Sequence, residues 1–255
     1  MGKELKNKPL AEAIFEVKWK LQGIPPAPSI DPHYKLLLGR FFDRMQNEYP
    51  VHEPLPAANV PDELVGHLVQ HRFRKALDSW PLVQIGPGIL TVNSTEEYTW
   101  SDFRDRILYA MGKLYDAHPK VDDLKIASLI LRYIDSVEFD YVNKDVLQFL
   151  EDKLKLKIRL PDNLFTGTGV EKNPSNLNWR CSFRCQDPKG TVNLLFATGK
   201  KRDVPAVVWE TTVESVGDVL TRAPKAFENW LASAHKITDD WFFKMIEGEL
   251  ERNFV

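Results

Sequence analysis

Two charged residues in an otherwise apolar stretch are the first candidates for chemistry. Arg132 and Asp135 lie in the run of residues 124–139, where a charged side chain must face solvent or find a partner. The guanidinium fork of Arg132 suits a carboxylate or a phosphate. Side chains three residues apart in a strand point to opposite faces, so we expect the two on different sides of a sheet. The sequence leaves open a ligand grip in a cavity or a structural ion pair with a polar outer face.

The segment 81–88, PLVQIGPG, is the most unusual local sequence in the chain. Gly86 and Gly88 flank Pro87, an arrangement that fixes an unusual backbone path and lets another group approach closely. We expect a sharp bend or bulge inside one strand-like run, residues 82–92. The bend either wraps the sheet around its helices or admits a ligand or partner at Gly86 and Gly88. The segment is not a phosphate loop, because it lacks the Gly-Lys-Ser or Gly-Lys-Thr ending.

Basic and apolar residues alternate from residue 153 to residue 160. This period of two predicts a strand with a basic outer face. Beside later strands, its cations would form one positive field able to contact nucleic-acid phosphates. The alternative is a solvated sheet face whose lysines discourage edge-to-edge aggregation. The candidate nucleic-acid-binding residues are Lys153, Lys155, Lys157, Arg159, Arg180 and Arg184, and the field would be extended by Lys200, Lys201 and Arg202.

The histidine and cysteine pairs do not predict a metal site. His67 and His71 are four residues apart, but they lie in a strand-like stretch and have no third ligand. Cys181 and Cys185 form a single C-x3-C without a second ligand pair. Their spacing places both thiols on one face of a predicted strand, as reduced core cysteines beside aromatic residues. The sequence therefore predicts neither a metal nor a cofactor.

The sequence carries no familiar catalytic motif. It has neither a G-x-S-x-G nucleophile elbow nor a P-loop. His235 falls in a predicted helix, where a packed or capping role is favoured over that of a general base. Asp135, Glu210 and Glu214 would serve a hydrolase or nuclease if their carboxylates converged in one pocket.

Strand periodicity positions most of these residues. Strict alternation predicts a first strand at residues 11–19, and the charged positions within 124–139 favour a central antiparallel strand. Three further strands, separated by turn-forming residues, predict a β-meander at residues 179–186, 191–198 and 206–213.

Helices are predicted between and after these strands. One begins at Asp31-Pro32, one has Thr99 or Ser101 as its N-cap, a short one spans residues 143–150, and the last runs from Ala223. The pattern indicates an α+β protein with an antiparallel, strongly curved sheet, covering helices and two pseudo-repeated halves.

Composition bounds the class of protein. The chain has 255 residues and a net charge of −2, which gives no global reason to expect nucleic acid or an anionic membrane as partner. Residues 1–9 lack an apolar segment and no run is long enough to span a bilayer, so we expect a cytoplasmic protein without a membrane partner. We predict one unit, residues 1–255, divided into sub-lobes 1–142 and 143–255.

Three stretches carry a family resemblance: residues 9–17 (PLAEAIFEV), 81–88 (PLVQIGPG) and 131–135 (LRYID). With the ending around Trp230 and His235, the chain resembles a sporadically distributed family of bacterial proteins of about this length that have no assigned activity. The resemblance runs over most of the chain and implies no catalytic residue. Patchy occurrence is typical of genes on mobile elements, so the resemblance implies a phage-defence or toxin–antitoxin context.

These observations favour a non-enzymatic binding or interaction protein. Its sheet and helices would form a groove or cavity for a protein partner or a small ligand. A nucleic-acid-binding protein that uses the basic sheet face is the second hypothesis. A hydrolase or nuclease with dispersed carboxylates is the third.

Overall fold

The computed structural model describes residues 5–23, 29–61, 64–95, 97–217 and 224–255. Within them a single antiparallel sheet is formed by nine strands: β1 Leu10–Trp19, β2 Val51–Pro54, β3 His71–Arg74, β4 Leu82–Gly86, β5 Ile89–Ser94, β6 Ile126–Glu138, β7 Asn178–Gln186, β8 Lys189–Lys201 and β9 Val204–Val216. Five helices accompany it: α1 Tyr34–Met45, α2 Trp100–Ala117, α3 Val146–Leu154, α4 Pro224–Ile246 and α5 Glu249–Arg252. The α+β class with an antiparallel sheet and covering helices is confirmed.

The spatial order of the strands joins both halves of the chain. It runs β2-β3-β4-β5-β1-β6-β9-β8-β7, so β6 lies between β1 of the first half and β9 of the second. The described helices pack against one side of the sheet, here called the helix-covered face, which carries Phe15, Leu131 and Trp209. The opposite side, here called the outer face, carries Arg132 and Glu210.

Strand β1 shows why the alternating pattern folds as it does. Ala13, Phe15, Val17 and Trp19 are buried on the helix-covered face, whereas the intervening side chains are partly exposed. Burying one such apolar side chain contributes about 1.5–3 kcal/mol, which is lost if the register slips by one residue. The predicted first strand is confirmed.

Strand β6 is central, as the sequence predicts. It pairs antiparallel with β1 on one side and with β9 on the other. Leu129 and Leu131 are buried on the helix-covered face, and Tyr133 and Asp135 follow on the same face at the period of two.

The C-terminal meander is also confirmed, although its strands are longer than predicted. Strands β8 and β9 have 13 residues each. They are joined by Arg202 and Asp203, which both have positive φ values, 48° and 68°. Two consecutive positive φ values define the tight hairpin turn that matches strand twist.

Helix α2 begins where the sequence places its cap, because the Thr99 side chain accepts a hydrogen bond from the Asp102 amide at 3.3 Å. Helix α1 begins at Tyr34. Just before it, the Asp31 carboxylate accepts a hydrogen bond from the His33 amide at 3.0 Å. The buried face of α1 carries Leu37 and Phe41, whereas Leu36 is 67% exposed. The predicted C-terminal helix is α4 followed by α5, and its expected first residue, Ala223, lies outside the described residues.

The predicted basic strand at residues 153–160 is wrong. Helix α3 continues to Leu154, and its first turn is capped by Asp145, whose carboxylate accepts hydrogen bonds from the amides of Leu147 and Gln148. Lys155 adopts a left-handed conformation with φ 57°, and the Leu156 amide donates back to the Leu150 carbonyl at 3.0 Å. This C-terminal cap ends the helix and turns the chain, so helical signals outweigh the alternation.

The run 82–92 is a hairpin and not one bent strand. Gly86 pairs with Ile89 across the Pro87-Gly88 turn, so β4 and β5 are neighbours. Strand β2 was missed because its region, residues 50–61, contains four prolines and reads as a loop. Val51–Pro54 is a short edge strand, where proline is tolerated. No helix among the described residues is both long and apolar enough to cross a bilayer.

Candidate functional site

A cavity of about 350 Å³ opens between helix α4 and the helix-covered face. We call it the α4 cavity. Its floor is formed by Tyr133 and Asp135 of β6, and one wall by His235, Asp239 and Phe242 of α4. The wall residues are spaced at four, three and seven positions, so they share one face of the helix.

Helix α4 is fixed over the sheet by two contacts near its beginning. The Trp230 indole donates a hydrogen bond to Ser215 Oγ on β9 at 2.8 Å. The ring of Phe227 packs edge-on against Phe15 of β1, with centroids 5.6 Å apart. These contacts place the face that carries His235 above β6.

The chain segment before β1 closes another side of the cavity. The Ser136 amide donates to the Pro9 carbonyl at 2.9 Å, and the Asn7 amide donates to the Phe254 carbonyl at 2.9 Å. Lys8 lines the cavity between these points. Its ammonium donates to the Tyr98 carbonyl at 2.5 Å, so this cation is held at the edge by a backbone oxygen.

Asp135 is the most unusual group in the cavity. Asp135 is only 4% exposed. No described residue donates a hydrogen bond to its carboxyl group. Burial raises the pKa of this carboxyl to about 8, although the positive charge of Lys201 partly offsets the effect. At neutral pH Asp135 is therefore a protonated acid, which can donate a hydrogen bond as well as accept one.

A chain of hydrogen bonds runs along the cavity wall. Tyr98 Oη lies 2.8 Å from Tyr133 Oη, which lies 3.2 Å from His235 Nδ1. Burial raises the pKa of both tyrosines and lowers the pKa of His235 to about 4. All three groups are thus neutral at pH 7. A consistent proton order has each hydroxyl donating toward the imidazole, which leaves the proton of His235 on Nε2.

Aromatic rings complete the wall. The Trp100 ring stacks on His235, with centroids 3.7 Å apart and planes inclined by 13°. This stack joins the beginning of α2 to α4 and holds the imidazole in place. Asp239, one helical turn beyond His235, also has a raised pKa, caused first by burial and then by the charge of Asp240. Asp135, Tyr133, Tyr98 and His235 therefore offer neutral hydrogen-bonding groups between aromatic surfaces, with the ammonium of Lys8 at the edge of the cavity.

Arg132 does not share a site with Asp135. As predicted, the two point to opposite faces, and Arg132 Nε lies 3.3 Å from Glu210 Oε1 on the outer face. The arrangement is an ion pair without an aligned hydrogen bond, because the Nε–H finds no acceptor in good geometry. The two residues that the sequence singled out therefore lie in different surroundings, Asp135 in the α4 cavity and Arg132 beside Glu210 on the outer face.

Gly86 and Gly88 make room for the chain itself. A Cβ on Gly86 would lie 1.9 Å from the Leu68 carbonyl oxygen, and Gly88 has φ +74° with Leu21 and His67 against it. The His67 amide donates to the Pro87 carbonyl at 2.8 Å. The close approach expected at these glycines is made by Leu21 and by residues 67–69 of the same chain.

The six basic candidates do not form one surface. Lys153, Lys155, Lys157 and Arg159 lie at the end of α3 and beyond it, on the side of the helices, and Lys153 and Lys157 pair with Glu249 and Glu151. Arg180 and Arg184 are exposed on β7 and point to the outer face, because they alternate with Trp179 and Cys181.

The dispersed carboxylates do not converge either. Asp135 faces the helices, whereas Glu210 and Glu214 lie on the outer face of β9. Cys181 and Cys185 are free thiols that share the helix-covered face of β7, as predicted, but both are half-buried and not part of the buried core. Among the described residues, no three side chains of histidine, cysteine, aspartate or glutamate are placed to hold a metal ion.

Sequence reasoning named Asp135 and His235 separately but did not place them in one cavity, and it did not name the other groups around Asp135. Tyr133 was detectable, because it lies two residues before Asp135 and so shares its face. His235 and Asp239 are four residues apart on one helix, a spacing that places them together. Tyr98 and Trp100 carried no signal, since they lie more than 30 residues from Tyr133 in sequence and meet it only through the fold.

The chain matches no protein family and no curated protein. Among solved structures it has a likeness to the di-domain ARO/CYC BexL from the BE-7585A biosynthetic pathway. The identity is 12%, the TM-score is 0.18, and the likeness covers 94% of this chain and 99% of that chain. A TM-score this low carries no argument about fold or function.

Proposed function

We propose that this chain is a binding protein whose α4 cavity takes a small, uncharged, planar ligand. The observation that carries the proposal is Asp135, a buried carboxyl that faces the cavity without a hydrogen bond from a described residue. A buried polar group without a partner is costly, and a ligand that pairs with it recovers that cost.

The ionisation states favour an uncharged ligand. Asp135, Tyr133 and His235 are all neutral at pH 7, for the reasons given above. A charged ligand would lose its hydration on entry and find no opposite charge on these three groups. A neutral ligand with one donor and one acceptor would pair with the carboxylic acid on both of its oxygens.

The shape and size of the cavity favour a planar ring. The stacked Trp100–His235 wall and Phe242 present aromatic surfaces to the same space. A volume of about 350 Å³ is at the small end of ligand sites in proteins. The ligand class is therefore a single or fused ring with amide-like hydrogen-bonding edges.

Three probes of similar shape and different charge test the proposal. Binding of benzamide, benzoate and benzamidinium is measured at pH 7 by NMR, with the Trp100 and His235 signals as reporters. We expect benzamide to bind and the two ions to bind at least ~10-fold more weakly. Benzoate or benzamidinium binding as tightly as benzamide would contradict a neutral site, as would the failure of all three to shift these signals at millimolar concentration.

A matched pair of variants connects the result to Asp135. Asp135→Asn keeps the shape and a neutral donor and acceptor, so benzamide binding should survive. Asp135→Leu fills the same space without polar atoms, and we expect it to fold and to lose at least ~10-fold in affinity. Equal binding by both variants would mean that Asp135 does not contact the ligand.

A further inference from the structure

A second cavity, of about 490 Å³, lies on the outer face beside the β8–β9 turn. We call it the outer cavity. Lys200, Lys201 and Arg202 line it at the turn, and none of the described residues that line it is acidic. It is separated from the α4 cavity by the sheet, so an inference about it stands independently of the function proposed above.

The hydroxyl group of Ser136 is a second, independent indication of a ligand site in the outer cavity. The residue is 2% exposed and lines the outer cavity, and its Oγ has no hydrogen-bond partner among the residues that the structure describes. A hydroxyl buried in this way is unusual, because most buried polar atoms are paired. An acceptor atom inside the cavity would satisfy it.

Lys200 and Lys201 differ from those lysines of the described chain that are paired with a carboxylate. Elsewhere in the described part of the chain, seven lysines form an ion pair with a nearby carboxylate, namely Lys18, Lys75, Lys120, Lys153, Lys157, Lys172 and Lys244. No ion pair of Lys200 or Lys201 is found within the described part of the chain. Lys201 stands at the end of β8 with the parity of the outer face and pairs with Val204 of β9, whereas Lys200 pairs with Pro205 and has the opposite parity. The strand register thus directs the positive charge of Lys201 to the outer face.

We propose that the outer cavity binds the phosphoryl group of a small phosphorylated molecule. Lys201 would supply the outer-facing positive charge for the anion, with Lys200 beside it at the turn, and the Ser136 hydroxyl would donate to one of the phosphoryl oxygens. Trp80, which is 41% exposed at the edge of the cavity, offers a ring face to whatever group the phosphate carries. A recessed site of this volume suits a small phosphate ester rather than a continuous nucleic-acid strand.

Calorimetry at constant ionic strength tests the proposal with inorganic phosphate, pyrophosphate and adenosine monophosphate as probes. We expect all three to bind the wild-type protein. Tighter binding of adenosine monophosphate than of inorganic phosphate would assign the attached ring to Trp80, and equal binding would assign the site to the phosphoryl group alone. Absence of binding by all three at millimolar concentration would overturn the proposal.

Two pairs of lysine variants distinguish phosphate binding in the outer cavity from attraction by the net charge of the protein. Lys200→Gln with Lys201→Gln should weaken phosphate binding by at least ~10-fold. The control, Lys172→Gln with Lys244→Gln, removes the same charge from two exposed lysines and should leave binding unchanged. Equal weakening by both pairs would overturn the proposal, because it would show attraction by net charge only.

Ser136→Ala gives a second readout that does not depend on charge. The variant should bind phosphate several-fold more weakly, yet its thermal midpoint should not fall, because the hydroxyl has no partner to lose. Unchanged phosphate affinity in Ser136→Ala would remove the hydroxyl from the site and contradict the geometry proposed here. A single-stranded oligonucleotide that binds far more tightly than pyrophosphate, with a steep salt dependence, would replace the small-molecule site by a nucleic-acid surface.

Discussion

At the scale of single residues, Asp135 makes the folded state hold a proton that the unfolded chain releases. The ordinary pKa of its carboxyl is 3.8, and burial raises it to about 8. Between these two values the folded state binds more protons than the unfolded state, so the free energy of unfolding falls as pH rises from about 4 to about 8. The full difference corresponds to on the order of 5 kcal/mol.

The first prediction is that Asp135→Asn removes this dependence. Urea unfolding at pH 5, 6.5 and 8 should show the variant gaining stability relative to the wild type at each step, because asparagine has no proton to lose. The comparison isolates Asp135 from His235, whose pKa of about 4 acts in the opposite sense by adding stability as pH rises toward 6.5. Parallel curves for the two proteins would show that Asp135 ionises normally when folded.

The second prediction concerns the hydroxyl at the centre of the hydrogen-bond chain. Tyr133 Oη contacts both Tyr98 Oη and His235 Nδ1, whereas Tyr98 Oη contacts only Tyr133 along this chain. We expect Tyr133→Phe to cost about 1–3 kcal/mol of stability and Tyr98→Phe to cost less. The double variant, measured by the same unfolding assay, should cost less than the sum of the two. Strictly additive costs would contradict a connected chain.

At the scale of elements, the β4–β5 hairpin depends on the absence of a side chain at Gly86. A Cβ there would collide with the Leu68 carbonyl at 1.9 Å, and backbone atoms cannot move aside cheaply. The third prediction is that Gly86→Ala lowers the midpoint of thermal unfolding strongly. The matched control is Gly39→Ala in helix α1, where no atom lies within 4 Å of the new Cβ. That change should stabilise the protein by about 0.5–1 kcal/mol, and loss of stability in both would point to a general intolerance of substitution.

The elements also show which sequence signals are sufficient. Strands β1 and β6 and the meander were predictable, because their apolar period of two agrees with burial against the helices. Residues 153–160 have the same period but follow a capped helix, and the local cap of α3 decides their conformation. The α4 cavity was only partly predictable, since Tyr98, Tyr133 and His235 are joined by the order of strands and helices and not by local sequence.

At the scale of the whole molecule, one sheet spans two groups of buried apolar residues. The larger group includes Phe15 and Phe103, and the smaller one includes Phe196 and Trp209. Strands β8 and β9 contribute buried residues to both groups, and β6 adds the partly buried Val137 to the smaller one, so neither group can lose its strands without disturbing the other.

The fourth prediction follows from this shared sheet. Unfolding in urea should give a single transition, with coincident curves from tryptophan fluorescence and from far-ultraviolet circular dichroism. Two separated transitions would instead show that sub-lobes 1–142 and 143–255 unfold independently. A fragment of residues 1–142 is a further check, because it would leave the β9-facing edge of β6 unpaired and should aggregate.

Strand β6 also separates the α4 cavity from the outer cavity by the thickness of a single strand. Asp135 faces the α4 cavity and its neighbour Ser136 faces the outer cavity. Lys201, which lines the outer cavity, lowers the pKa of Asp135 through the sheet. An anion that neutralises Lys201 would therefore strengthen the hold of Asp135 on its proton, and by thermodynamic reciprocity protonation of Asp135 would alter affinity for that anion. Anion binding on one side of the sheet and proton binding on the other would thus be coupled electrostatically across β6, without any movement of the backbone.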